Sequence, residues 1–395
     1  MIQRTIKTAV TLGVLLCVVF VLCGSGAWAQ SKTADKPESS QAVSFAVSPA
    51  LTDIAPEIIQ QALQAPGEEA EIEGGIRNPR LPWALPANDL SQDASGGKTS
   101  AASVADGALQ TQAPSQNIPA PALTFDGVLQ SDNASAGFGA LTPPDTDGDV
   151  GPNHYVQQVN LLYKIFNKSG TLVAGPFKLS SLWVAAGKAD QCAAADQGDP
   201  IVLYDSVADR WILSQFAFAS QTAAPYFECI AVSKTGDPTG AYYLYTFKTG
   251  AVSGANEFPD YPKIGVWPDG YYMMVHQFTL GGNFNGSGYY AFDRKKMLVG
   301  DPNAGYIYFN LNLTAHPEGV GGSLPASVDG LRMPAPGSPG IFSYFTATVW
   351  GDPANGLRLF QFHADYTTPA NSTLTELTSY QNPLAVAAFD VTTPT

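Results

Sequence analysis

From Leu123 onward the chain is built of short apolar and aromatic runs, each closed by glycine, proline, aspartate or asparagine. Tyr155 to Phe166, Ile201 to Tyr204, Trp211 to Phe218, Phe227 to Val232 and Ala241 to Phe247 are of this kind. So are Tyr271 to Phe278, Tyr289 to Phe292, Tyr306 to Leu311, Ile341 to Trp350 and Leu357 to His363. Each has strand length and is rich in β-branched or aromatic residues. The gaps carry turn sequences such as Lys168-Ser169-Gly170, Pro268-Asp269-Gly270 and Asn285-Gly286. No long helical periodicity runs through this region, so an all-β domain is expected over 123–395.

Two phrases repeat. Ile201-Val202-Leu203-Tyr204 followed by Arg210-Trp211-Ile212-Leu213 is echoed by Ile264-Gly265-Val266-Trp267 followed by Tyr271-Tyr272-Met273-Met274, roughly 60 residues later. Gly-Asp-Pro recurs at 198–200, 236–238, 300–302 and 351–353, where it is as readily plain turn chemistry as a repeat mark. A strand–turn–strand unit at this spacing predicts a β-propeller-like repeat domain. A pair of β-sandwiches is the alternative.

The first 122 residues are different. Arg4 and Lys7 precede an apolar run from Ala9 to Cys23, a helix-breaking Gly24-Ser25-Gly26 and the small-residue signature Ala27-Trp28-Ala29. This is the plan of a secretory signal peptide over 1–29, cut after Ala29, and too short in its apolar part for a bilayer span. Leu22 stands before Cys23 where a lipoprotein site wants a small residue. Residues 30–122 are rich in Ala, Pro, Ser, Gln and Glu and poor in aromatics, which predicts a mostly disordered arm. Within it, Asp53 to Leu63 has the face and the early proline of one short helix.

Export sets the rest. Cys192 and Cys229 remain after the signal, and an oxidising compartment lets them pair across a loop of roughly 37 residues; two separate buried thiols are the other reading. A net charge of −14 argues against nucleic acid and anionic membrane surfaces as partners. No segment beyond the signal is long and apolar enough to span a membrane.

The run Pro143-Pro144-Asp145-Thr146-Asp147-Gly148-Asp149-Val150-Gly151-Pro152-Asn153-His154-Tyr155-Val156-Gln157 resembles the opening signature of a family of large secreted bacterial proteins, mostly uncharacterised. Gly198-Asp199-Pro200-Ile201-Val202-Leu203-Tyr204-Asp205 with Asp209-Arg210-Trp211, and Asp260-Tyr261-Pro262-Lys263-Ile264-Gly265-Val266-Trp267, are similar to its later motifs. The resemblance covers roughly 123 to 390 and implies propeller-like β repeats and an extracellular or envelope location, with no settled activity. Members extend through further strands, so the resemblance also implies an incomplete propeller here, or a shortened version of a longer protein.

Asp145, Asp147 and Asp149 form the sharpest cluster. Carboxylates at alternate positions in a glycine-containing loop suit Ca²⁺, although Gly148 and Val156 depart from an EF-hand; an Asp-rich turn capping its own backbone is the competing reading. Asp199, Asp205, Arg210, Trp211, Asp260 and Trp267 are the candidate binding residues, since carboxylates and aromatics serve sugars. Against that, Trp183, Trp211, Trp267 and Trp350 are also natural blade cores, and Arg210 beside Asp205 reads as a hairpin tie. His154, His276, His316 and His363 form no ligand set, and His276 reads as a packed core histidine. No G-x-S-x-G elbow, P-loop, dinucleotide fingerprint or sialidase-type Asp box occurs, and Arg210, Arg294, Arg332 and Arg358 are the domain's arginines. The sequence therefore predicts a secreted or envelope module binding an extracellular glycan or protein without catalysis. The alternatives are a secreted hydrolase acting on glycans through propeller-face carboxylates, and a purely structural part of a larger envelope protein.

Overall fold

The computed structural model describes residues 36–54, 119–136, 138, 143–250, 257–280, 282–313, 321–328, 333–346, 355–377 and 383–387. The stretch read as a signal peptide (1–29), most of the stretch read as an arm, His316, Arg332, Trp350 and the last Gly-Asp-Pro lie outside them. Two strands come from the N-terminal tract, β1 (Glu38–Gln41) and β2 (Ser44–Val47). β3 (Thr146–Val150), β4 (His154–Val159), β5 (Leu162–Asn167) and β6 (Leu172–Phe177) then form an antiparallel meander in that order. The second sheet is β7 (Ile201–Asp205), β8 (Arg210–Phe218), β9 (Tyr226–Ser233) and β10 (Tyr242–Thr249), with β2 on its outer edge. The third is β11 (Glu257–Val266), β12 (Tyr271–Thr279), β13 (Phe284–Phe292) and β14 (Gly305–Asn312), with β1 outermost. β15 (Leu324–Pro325), β16 (Gly340–Thr346), β17 (Gly356–His363) and β18 (Thr373–Glu376) form the fourth, where β19 (Leu384–Ala385) also pairs with β17.

The first strand of each meander touches the first strand of the next: β3 meets β7, β7 meets β11, and β11 meets β15. Successive four-stranded sheets with adjacent inner strands are propeller blades, and the sandwich alternative is not what forms. The apolar core lies between blades. Val156, Tyr163 and Ile165 of the first pack against Val202, Trp211 and Leu213 of the second. Ile212, Ile230 and Val232 meet Tyr271, Met273 and Tyr290 of the third. Tyr272, Met274 and Tyr289 meet Phe342, Phe360 and Phe362 of the fourth. Alternation along each strand puts one side chain in the interface before the blade and the next in the interface after it, so strands buried on both faces read as near-continuous apolar runs.

Three expectations from the sequence change in detail. Tyr155 to Phe166 is two strands, reversed at Asn160, whose left-handed φ of 45° makes the turn. The described Gly-Asp-Pro copies sit at unlike places: before β7, in the β9–β10 hairpin and before β14. They are turn chemistry, whereas the phrase shared by 201–213 and 264–274 is the first hairpin of two successive blades. Finally, 38–47 of the compositionally arm-like tract is ordered as β1 and β2, because Phe45 supplies an apolar anchor that an average over the tract conceals. Of the helix expected over Asp53 to Leu63, only the start is described, and Leu51–Asp53 there is one 3-10 turn.

Cys192, on the short helix Gln191–Ala194, is bridged to Cys229 of β9, with Cα atoms 5.7 Å apart. Among the described residues, no helix is long and apolar enough to cross a membrane.

Candidate functional site

Three carboxylates lie at or near the start of three successive inner strands. Asp145 stands just before β3, Asp199 just before β7, and Asp260 within β11. Each lies beside proline, in Pro144-Asp145, Asp199-Pro200 and Pro259-Asp260. The backbone is left-handed at Asp145 (φ 39°), Asp199 (φ 45°) and Tyr261 (φ 54°). Aspartate tolerates this region because its short side chain bonds locally; tyrosine does not. Such residues cost about 1–3 kcal/mol each and gather where a fold serves a site.

Asp199 is only 7% exposed and accepts the Tyr261 N–H at 3.0 Å. That bond ties the second blade to a register slip in β11 between Asp260 and Lys263. The slip turns the Tyr261 ring outward, 48% exposed. The ring stacks on His276 with centroids 5.5 Å apart, and the Lys263 ammonium lies 3.9 Å from its centroid. His276 Nε2 accepts the Gly322 N–H at 2.7 Å, and burial, helped by the Lys263 charge, lowers its pKa to about 4. A neutral imidazole therefore backs the tyrosine at neutral pH.

Burial, then the charges of Asp199 and Asp145, pushes the Asp260 carboxyl up to about 7, with the Tyr261 N–H and Lys263 opposing. Glu228 of β9, 2% exposed, is raised to about 8 by burial in the interface and then by Asp199, with the Ser214 side chain pulling the other way. A half-buried carboxyl that holds a proton near neutrality, beside carboxylates, is the arrangement that proton transfer to a polar substrate requires.

The Asp-rich loop divides. Asp147 Oδ2 accepts the Val202 N–H at 3.0 Å and Asp149 Oδ2 accepts the Tyr204 N–H at 2.7 Å. Their other oxygens cap Gly148 and Val150. Alternation in β3 thus turns both carboxylates onto the inner edge of the second blade, while Asp145 is electrically part of the Asp199–Asp260 group. Among the described residues, no three His, Cys, Asp or Glu side chains are grouped to hold a metal ion.

The six candidate binding residues also divide. Asp199 and Asp260 come together at one end of the inner strands. Asp205, Arg210, Trp211 and Trp267 lie at the other, about 20 Å away at the rise of a β-strand. There Asp205 is fully buried and takes Arg294 through two hydrogen bonds, Nε–Oδ2 at 2.7 Å and Nη2–Oδ1 at 3.0 Å. Tyr271 donates its hydroxyl to Asp205 Oδ2 at 3.0 Å. Arg210, read from the sequence as a hairpin tie, donates to the Ala208 and Asp209 carbonyls in the turn between β7 and β8. Trp211 is fully buried with its indole N–H on the Gly236 carbonyl, and the Trp267 indole reaches the Ser338 carbonyl. Trp183 is buried too, donating to Thr246 Oγ1. These side chains build blades.

Tyr261 and Lys263 stand out in the sequence only as members of the Asp260–Trp267 motif, Glu228 not at all, and nothing local joins Asp145 to Asp199. The available signal was the proline-flanked aspartate recurring roughly 60 residues apart at the head of each inner strand.

No family model matches this sequence, and no curated protein sequence matches it. Among solved structures, the chain is similar to a family 32 β-fructofuranosidase from Bombyx mori (TM-score 0.30, 11% identity, covering 60% of this chain and 51% of that one). It is also similar to an endo-1,5-α-L-arabinanase from Thermotoga petrophila (0.27, 15%, 55% and 51%) and to an exo-β-1,3-galactanase from Clostridium thermocellum (0.26, 11%, 60% and 62%). The matches span about half to three-fifths of the length of those proteins. At these scores and identities no residue role passes from them to this chain.

Proposed function

We propose that this protein is an exported hydrolase of neutral glycans, with Asp199, Asp260 and Asp145 as its reacting carboxylates. The observation that carries the reading is the raised Asp260 carboxyl, largely buried and within reach of the Asp199 and Asp145 charges near the start of three inner strands. Glycosidic cleavage needs one carboxyl that gives a proton to the leaving oxygen and a second that stays ionised. Asp260 takes the first role, and Asp199, fixed by the Tyr261 N–H, the second. Tyr261, exposed beside them, offers an aromatic edge and a hydroxyl to a sugar. Several carboxylates and a net charge of −14 repel uronate- or sulfate-bearing chains, so neutral polysaccharides are the substrate class. The Cys192–Cys229 bridge supports export, as does the sequence of residues 1–29.

The test is turnover of a panel of neutral polysaccharides and chromogenic glycosides by the purified chain, beside Asp260→Asn and Asp199→Asn. The expected result is hydrolysis of at least one substrate and a loss in kcat/KM of about 100-fold or more in each variant. A blank panel, or variants as active as the parent, ends the reading. Binding without turnover would select the non-catalytic glycan module, for which the exposed Tyr261 ring is the supporting feature.

A further inference from the structure

Strands β1 and β2 reach the blades from far away in sequence. β1 pairs with the outer strand of the third blade, from Glu38 opposite Tyr308 to Gln41 opposite Gly305. β2 pairs with the outer strand of the second, from Ser44 opposite Thr246 to Val47 opposite Tyr243. The switch takes one peptide: the Ala42 N–H donates to the Ala304 carbonyl at 3.0 Å and the Val43 N–H to the Thr246 carbonyl at 2.9 Å. Beyond β2, Ser48 exchanges two hydrogen bonds of 2.9 Å with the backbone of Tyr242, and the Leu51 N–H reaches the Thr239 carbonyl. Phe45 packs on Tyr243 and Tyr245, and Leu51 and Ile54 are buried between the first and second blades.

These attachments are main-chain ladders on two sheet edges plus a few apolar anchors. Nothing in them depends on which chain supplies the strand. Without the segment, β10 and β14 would be bare edges, with unpaired amides and carbonyls beside Tyr243, Tyr245, Tyr306 and Tyr308, and such edges recruit strands. Ile54 and the next described residue, 119, are joined by residues 55–118, a length of chain that spans at most about 230 Å. Chain connectivity therefore does not restrict the segment to its own domain.

We propose that residues 36–54 are an exchangeable clamp: the outer edges of the second and third blades form a docking surface that accepts the same segment from a second copy of this chain, giving a strand-swapped assembly. At low concentration the segment of the same chain wins by its high effective concentration; refolding at high concentration populates the exchanged form.

The test uses the full chain with cysteines at the facing pair Val47 and Tyr243, the first of which is 43% exposed. Val47→Cys and Tyr243→Cys chains carrying different tags are refolded together and oxidised. A Val47→Cys chain refolded with Leu172→Cys, an exposed site on β6 that faces no clamp, measures chance collision. The expected result is a mixed disulfide dimer several-fold above that control, rising with protein concentration. A yield at the control level, while the Val47→Cys/Tyr243→Cys double variant closes its bridge within one chain, overturns the proposal. A second readout needs no substitution. A fluorescent 36–54 peptide refolded with the unaltered chain co-elutes with it if the edges accept a strand in trans, and elutes alone if they do not.

Discussion

Asp205 and Arg294 meet across the boundary between the second and third blades, the guanidinium lying side-on to the carboxylate with contacts of 2.7 and 3.0 Å. Asp205 has no solvent exposure and also accepts the Val207 and Ala208 N–H groups and the Tyr271 hydroxyl. Arg294 spends a third donor on the Pro268 carbonyl. Removing either side chain leaves a buried charge without its counter-charge. Arg294→Ala is expected to lower unfolding stability by about 3–5 kcal/mol in denaturant titrations. Arg294→Lys should recover little, since an ammonium cannot reproduce the two-point contact.

The bridge between Cys192 and Cys229 closes a sequence separation of 37 residues, joining the loop that enters the second blade to the third strand of that blade. Shortening the unfolded chain's freedom over such a loop is worth about 3–4 kcal/mol. Thermal unfolding of the Cys192→Ala/Cys229→Ala double variant should therefore begin well below that of the parent. Reductant should shift the parent towards the double variant and leave the double variant where it is.

Much of the fold could be read from local patterning. Strand existence follows from apolar runs punctuated by turns, and blade identity follows where two blades repeat a hairpin phrase, as at 201–213 and 264–274. Pairings set by tertiary structure were out of reach. Asp205 and Arg294 are 89 positions apart, while Arg210, opposite Asp205 in the β7–β8 ladder, spends its side chain on the carbonyls of that hairpin's own turn. At the site, Asp199 and Asp260 were visible as candidates. Their connection to Asp145 was not, because sequence spacing groups Asp145 with Asp147 and Asp149, whereas strand alternation turns those two towards Val202 and Tyr204. Tyr261 depends on a register slip that no local sequence rule announces.

Glu228 carries a pH signature. Its pKa is near 8 in the folded protein against an ordinary 4.5, so between those values the folded state holds a proton that the unfolded chain has released. Folding stability then falls as pH rises through this window and levels off above 8. Glu228→Gln keeps the shape and removes the titration. Its unfolding midpoint should exceed that of the parent at pH 9, with the gap closing as pH approaches 4.5. A gap that stays constant with pH would mean that Glu228 is already ionised in the folded protein.

Tyr261 separates stability from function. Its φ of 54° strains a side-chain-bearing residue, and glycine adopts that backbone without penalty. The ring returns little to the fold, since it is 48% exposed and lies against the His276 imidazole with the Lys263 ammonium over it. Its N–H bond to Asp199 survives any substitution except proline. Tyr261→Gly should thus keep the parent's unfolding midpoint or raise it slightly, as measured by thermal melting. If the proposed glycan hydrolysis holds, the same variant should lose affinity for the substrate, seen as a raised KM with a smaller effect on kcat, because the carboxylates stay in place. Tyr261→Phe keeps the ring and the strain and removes the hydroxyl, so it divides the loss between stacking and hydrogen bonding. If Tyr261→Gly melts several degrees below the parent, the ring is a packing element at this end of the inner strands and its outward turn serves the fold and not a ligand.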